Sequence, residues 1–300
     1  MINFKNKIKI FNQSRGGIEI LILVLIVLGS ILMAGGLFPK LLKGDPNAEK
    51  FIAIPEIPQD THSTLQLKTI KFKSCTSAVA VNFLVDRSGS MRYGTKLQNL
   101  QSALRVFANN YPDDGIIGMQ SFSEPALGPT ADVPIDYFRN VESQFSSAIS
   151  ALFPDGGTYT RDAFSFVKPR LDAAKSKFSN YKFSLIFISD GVPETLARNN
   201  AQGACQGTTP EDLRYCGLKS DGNCRCFDTS QDPTLIANEI KNSGVRIFSI
   251  GYINDEDLKF KDDLTTLMKN VASSPNDFYE APIDNQLTDI LSQISQKLCN

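Results

Sequence analysis

The chain has 300 residues, with 31 basic and 32 acidic side chains and a net charge of −1. That balance carries no basic footprint of the kind nucleic acids attract, so no nucleic-acid partner is expected. The length suits one large domain or two small ones. The only histidine, His62, leaves little room for hydrolases built on a Ser-His-Asp relay.

Residues 1–17 are polar and basic (Lys5, Lys7, Lys9, Arg15) and read as a cytoplasmic segment. Residues 18–38 are almost wholly apolar, interrupted by Glu19 and Ser30. About twenty residues at ~1.5 Å rise each cross a hydrocarbon layer of roughly 30 Å, so this run predicts a transmembrane helix. The basic side favours a cytoplasmic N-terminus, although Lys40 and Lys43 follow the span. A cleaved signal peptide fits less well, because the run is long and lacks an A-x-A site. The expected location is the cell membrane, single-pass, with the C-terminal part outside. Arg15-Gly16-Gly17 before an apolar helix with an early glutamate resembles type IV prepilin leaders, which cleave after the glycine and carry Glu fifth in the mature chain. Here Glu19 stands second after Gly17 or third after Gly16.

Residues 39–74 read as an extended stalk, punctuated by Pro39, Pro46, Pro55 and Pro58. His62 falls here, away from any ligand cluster, and residues 65–72 suggest a short strand. Residues 75–300 then alternate strand and helix patterns. Strands are expected at 79–85, 116–122, 133–138 (an edge), 183–189, 245–250 and 278–279. Helices are expected at 96–111, 141–152, 160–178, 234–242, 258–271 and 285–298. The alternation predicts an α/β fold, a doubly wound, mainly parallel sheet with helices on both faces. Such sheets bind ligands beyond the carboxyl ends of their strands.

Residues 194–233 interrupt the pattern. This polar insertion carries Cys205, Cys216, Cys224 and Cys226 and reads as a long loop, functional or disordered. Cys224 and Cys226 are too close to bridge each other easily, so each is expected to pair back to Cys205 or Cys216. The rival is a four-cysteine zinc site, disfavoured if the chain is exported to an oxidising compartment. Cys75 and Cys299 would join the two ends of the domain.

The chemistry gathers in three separate loops. The apolar run 79–85 stops at Asp86, and Ser88 and Ser90 follow at alternate positions. Thr158 follows Gly156-Gly157, and Asp190 ends the run 184–189. Each alone reads as a capping or turn residue. Together they offer carboxylate and hydroxyl oxygens, the donors hard divalent cations prefer. Asp86-x-Ser88-x-Ser90-Met91, with Thr158 and Asp190 in order, resembles the metal-ion-dependent adhesion site of von Willebrand factor A and integrin I domains.

That resemblance implies Mg²⁺, or Mn²⁺ or Ca²⁺ in its place. Ser88, Ser90 and Thr158 would be direct ligands, with Asp86 and Asp190 acting directly or through water. The open position would take water or a carboxylate from an extracellular protein or surface ligand. Arg161 stands where a small residue is expected, and Tyr159 and Arg161 read as rim or local surface. The last helix, at 285–298, occupies the place of one that often shifts on ligand binding, and a Cys75–Cys299 bond would restrain it. The expected function is a membrane-anchored, exported adhesion domain; the alternative is a pilin-like or pilus-tip component. An enzyme is not expected. No histidine accompanies the serines, the G-x-x-x-x-G-K-[ST] phosphate loop is missing, and no general base joins the oxygen set.

Overall fold

A computed structural model describes residues 78–124, 129–196, 205, 213–218, 224–253, 260–281 and 286–298. The expected basic segment, anchor, stalk, prepilin-like leader, His62, Cys75 and Cys299 lie outside the described residues. All described residues fall within one compact unit, Gln66–Asn300. Among them no helix is long and apolar enough to cross a membrane.

β1 (Val79–Asp86) is buried along its whole length. Its near-continuous apolar run is what a central strand covered on both faces requires. It pairs in parallel with β2 (Ile116–Phe122) on one side and β4 (Lys182–Ser189) on the other. Beyond β4 lie β8 (Arg246–Gly251) and β9 (Phe278–Glu280), both parallel. β3 (Pro129–Tyr137) closes the other edge, antiparallel to β2. Among the described residues the main sheet therefore reads β3-β2-β1-β4-β8-β9.

The two-residue period of β1 divides the core. Val81, Phe83 and Val85 face one layer with α1 (Lys96–Ala108), α2 (Phe138–Ala151) and α6 (Gln286–Lys297). Ala80 and Leu84 face the other, with α3 (Thr160–Lys177), α4 (Thr234–Asn242) and α5 (Lys261–Val271). Helices thus cover both faces. Asn82 is fully buried and donates to Gln120 Oε1 at 2.6 Å, while among the described residues its own Oδ1 has no partner.

Elements with strong periodicity appear within a few residues of their expected places. The edge strand starts earlier than expected, because Pro129, Thr130 and Asp132 hide its pattern. Pro129 and Pro134 suit an edge, where a missing N–H costs least. The insertion is the larger departure. It is not a structureless loop but holds an antiparallel sheet of β5 (Glu194–Leu196), β7 (Cys224–Asp228) and β6 (Leu213–Leu218), with β7 in the middle. Cys205 bonds Cys224, and Cys216 bonds Cys226. Each closely spaced cysteine pairs back, and among the described residues no free thiolate remains for zinc. Buried Cys224 and Cys226 cluster with half-buried Cys205 and Cys216, so the covalent links form the packed centre of this small sheet.

Phe83 packs edge-on against Phe107, with ring centroids 5.1 Å apart, and is fully buried. Phe83→Ala should lower unfolding free energy by about 3–5 kcal/mol in a denaturant titration. A loss below about 1 kcal/mol would contradict the assigned packing.

Candidate metal site at the strand ends

β1 and β4 are neighbours, so their ends bring Asp86 and the Ser189–Asp190 pair to one rim of the sheet. Asp86 and Asp190 are both buried, at 0% and 1% exposure. The chain turns sharply after Asp86. Its Oδ1 accepts the Ser88 N–H at 2.7 Å, and its Oδ2 accepts the Ser189 hydroxyl. A short 3-10 turn, Gly89–Arg92, follows and sinks Met91 into the core.

The serine side chains lead from this turn toward β4. Ser88 Oγ and Ser90 Oγ are 3.0 Å apart, and Ser90 Oγ donates to Asp190 Oδ1 at 2.8 Å. Thr158 comes from the α2–α3 loop and is also buried. A Cβ placed on Gly191 would lie 3.3 Å from Thr158 Oγ1 and 3.9 Å from Ser90 Oγ. The threonine hydroxyl therefore reaches the same corner as Ser90 and Asp190, and Gly191 leaves room for it. Backbone bonds tie the loops together: Gly89 N–H to Gly156 O at 2.9 Å, and Asp155 N–H to Arg87 O at 2.9 Å. Tyr159 is buried, whereas Arg161 is exposed and lies 3.7 Å from Asp162.

The electrostatics of this corner are strained. Burial, and then the negative charge of Asp190, push the Asp86 carboxyl up to about 7, against hydrogen bonds from Ser189 and Ser88 that pull it down. Lys96, the first residue of α1, is buried and places its ammonium 2.6 Å from Asp190 Oδ2. Asp190 is thus paired with a buried lysine, whereas the hydrogen bonds to Asp86 come from the neutral Ser88 and Ser189. Among the described residues no group of three or more His, Cys, Asp or Glu side chains could hold a metal. A cation here would have to use the serine and threonine hydroxyls as well. The donors present are all hard oxygens and suit Mg²⁺ or a similar ion.

A family model matches residues 81–192: the von Willebrand factor type A domain. The match runs from within β1 to just past Asp190 and so spans all the candidate donors. Solved structures share this fold at low identity. The von Willebrand factor domain of the type V pili tip protein Mfa5 from Porphyromonas gingivalis is 18% identical, covering 75% of this chain and 96% of that one, with a TM-score of 0.56. The pilus adhesin SpaC from Lactobacillus rhamnosus GG is 22% identical with a TM-score of 0.56, covering 76% of this chain and 31% of that one. The chain thus spans about a third of that adhesin's length. Proximal thread matrix protein 1 from the mussel byssus, solved with a zinc-occupied MIDAS motif, is 15% identical with a TM-score of 0.52, covering 75% of this chain and 49% of that one. No curated protein matches the sequence.

Three residues at the site escaped the sequence reading. Lys96 could have been noticed, since it shares a helical stripe with the buried Leu100, Ala103 and Phe107. A lysine on an apolar stripe needs a counter-charge. Ser189 stands next to Asp190 but belongs to no spacing pattern. Glu124, just beyond β2, carries no signal that separates it from an ordinary exposed carboxylate.

Removing the lysine charge tests the balance. Lys96→Met should destabilise the protein in chelator by about 3–5 kcal/mol, because it leaves a buried carboxylate uncompensated. Saturating Mg²⁺ should recover part of that loss in a thermal melt. An unchanged melting temperature in chelator would refute this account of the corner.

Proposed function

We propose that the chain is an exported adhesion module that binds a partner through a divalent cation held by Asp86, Ser88, Ser90, Thr158 and Asp190. The observation that carries this reading is the meeting of hydroxyl and carboxylate oxygens from separate loops at one buried, carboxylate-rich corner. Mg²⁺ is the expected ion, with Mn²⁺ or Ca²⁺ able to replace it. When bound, the ion supplies a positive centre for a carboxylate of an extracellular protein or surface ligand. Tyr93 and Phe153, large apolar side chains exposed at 53% and 64%, flank the same loops, whose edges are joined by Arg92 Nη2 donating to Pro154 O at 2.8 Å. Recognition, rather than catalysis, is the reading we favour, since among the described residues there is no histidine to serve as a base. Residues 18–38 would anchor the module in the cell membrane, residues 39–74 would raise it, and 75–300 would form the exposed domain.

A second reading is a pilus-tip or pilin-like component. It is supported by the pilus adhesin SpaC and the pili tip protein Mfa5 among the similar folds, and by the D319A mutant of the PilB minor pilin from Streptococcus sanguinis, 15% identical with a TM-score of 0.53. Cleavage at Gly17 of the natively produced protein would favour it; an intact N-terminus would favour the simple anchor.

Asp86→Ala should abolish Mn²⁺ binding in a calorimetric titration while the far-ultraviolet dichroism stays native. The same substitution and excess chelator should each abolish capture of partners from cell-surface extracts by the immobilised protein. Equal capture with and without chelator overturns the reading.

A further inference from the structure

Thr158 is held chiefly by the cysteine-rich insertion. Its N–H donates to Glu194 O at 2.7 Å, and the Glu194 N–H donates back to Thr158 O at 3.0 Å. This pair is an isolated antiparallel bridge between the loop and the first residue of β5. One residue earlier, the Gly157 N–H donates to Glu124 Oε2 at 3.2 Å. The same oxygen lies 3.5 Å from Arg225 Nη2, with both side chains largely buried at 16% and 8% exposure. Arg225 stands in β7 between Cys224 and Cys226, each bonded to a different partner cysteine.

The glycines of this loop show how closely it is pressed. Gly156 has φ +75°, and a Cβ there would meet Glu124 Cγ at 2.7 Å. A Cβ on Gly157 would run into the Glu194 carbonyl oxygen. The loop is thus gripped by Glu124 on one side and by the insertion's backbone on the other, and Thr158 is the next residue along.

We propose that the disulfide-bonded insertion positions Thr158 for the cation, with Arg225 and Glu124 as positioning residues and the two disulfides holding Arg225 in place. The proposal rests on the cation-site reading above. Its physical basis is tolerance. Mg²⁺ demands near-ideal octahedral geometry, and a neutral hydroxyl ligand contributes only when held in place. A sheet of three short strands is marginal by itself. Breaking its disulfides frees β7 and Arg225, loosens Glu124, and releases the Gly157–Thr158 segment. Metal affinity thereby depends on the covalent state of the insertion.

The test is a double-mutant cycle on the full chain, with Mn²⁺ as the probe and its electron paramagnetic resonance as the readout. Arg225→Met should weaken Mn²⁺ binding about tenfold, as loss of an outer partner of a metal site does. Thr158→Ala should weaken it at least as much. The double variant should bind no more weakly than Thr158→Ala alone, because both changes act through one hydroxyl. Glu124→Gln, which keeps an acceptor for the Gly157 N–H, should retain more affinity than Glu124→Ala. Reducing the disulfides of the wild-type protein should lower affinity about tenfold and reoxidation should restore it, which covers the case of a variant that fails to fold. Additive losses in the cycle, or unchanged affinity in Arg225→Met and after reduction, overturn the proposal. If Mn²⁺ binding stays sensitive to Asp86→Ala in that event, the cation site stands without it. A wild-type protein that binds no Mn²⁺ overturns both.

Discussion

Two carboxylates buried at adjacent strand ends, one of them paired with a buried lysine, set the terms for the rest of this structure. Removing an ionised carboxylate from water costs several kcal/mol even after the protein relaxes. Burial first, and then the charge of Asp190, push the Asp86 carboxyl upward. Much of the local architecture serves to contain them. Ser88 and Ser189 donate to Asp86, Ser90 donates to Asp190, and α1 begins with Lys96 pointing inward to meet Asp190. A chain selected for stability alone would gain by replacing such a cluster with apolar side chains. Its presence at the ligand-facing ends of a parallel sheet is an argument for a site.

The sheet supplies the rigidity that such a cluster needs. β1 and β4 lie side by side in the middle of the strand order, flanked by β2 and β8, so the two aspartates stand at the centre of the sheet's rim. Helical layers cover both faces and keep the strand ends from shifting independently. The loops carrying Ser88, Ser90 and Thr158 lack that support. They are fixed by backbone hydrogen bonds to each other and, for Thr158, to the insertion. The site is therefore rigid on its carboxylate side and depends on loop contacts on its hydroxyl side.

What could be read from the sequence follows the same division. The central strands were legible because a fully buried strand needs an unbroken apolar run, and Asp86 and Asp190 were legible because they end such runs abruptly. Gly156-Gly157 marked the second loop, but the family resemblance, not spacing alone, singled out Thr158. Lys96 was hidden because a lysine on a helix normally reads as solvated, and its partner lies 94 residues away. Glu124 and Arg225 were hidden for a like reason: they meet across 101 residues, and neither sits in a periodic segment. The insertion's strands could not be read because cystine bonds, rather than an apolar stripe, compensate for their shortness. Sequence patterns record burial well, and long-range charge pairing poorly.

Charge counting then suggests why a site of this composition would recruit a partner instead of merely sequestering an ion. Counted over these three side chains alone, Asp86 and Asp190 with Lys96 carry one negative charge when both carboxylates are ionised. The serine and threonine hydroxyls add none. A divalent cation placed there would be left with a positive charge unmatched by the protein, whereas high-affinity calcium sites add further carboxylates until the charge is met. Ion binding would be weaker for that reason, and a carboxylate brought by a second molecule would complete both the coordination and the charge. Lys96 would be central to this balance: by pairing with Asp190 it would leave more of a bound ion's charge for a ligand from outside. The partner and the ion would each strengthen the other's binding, since whichever arrives first leaves the charge the other needs.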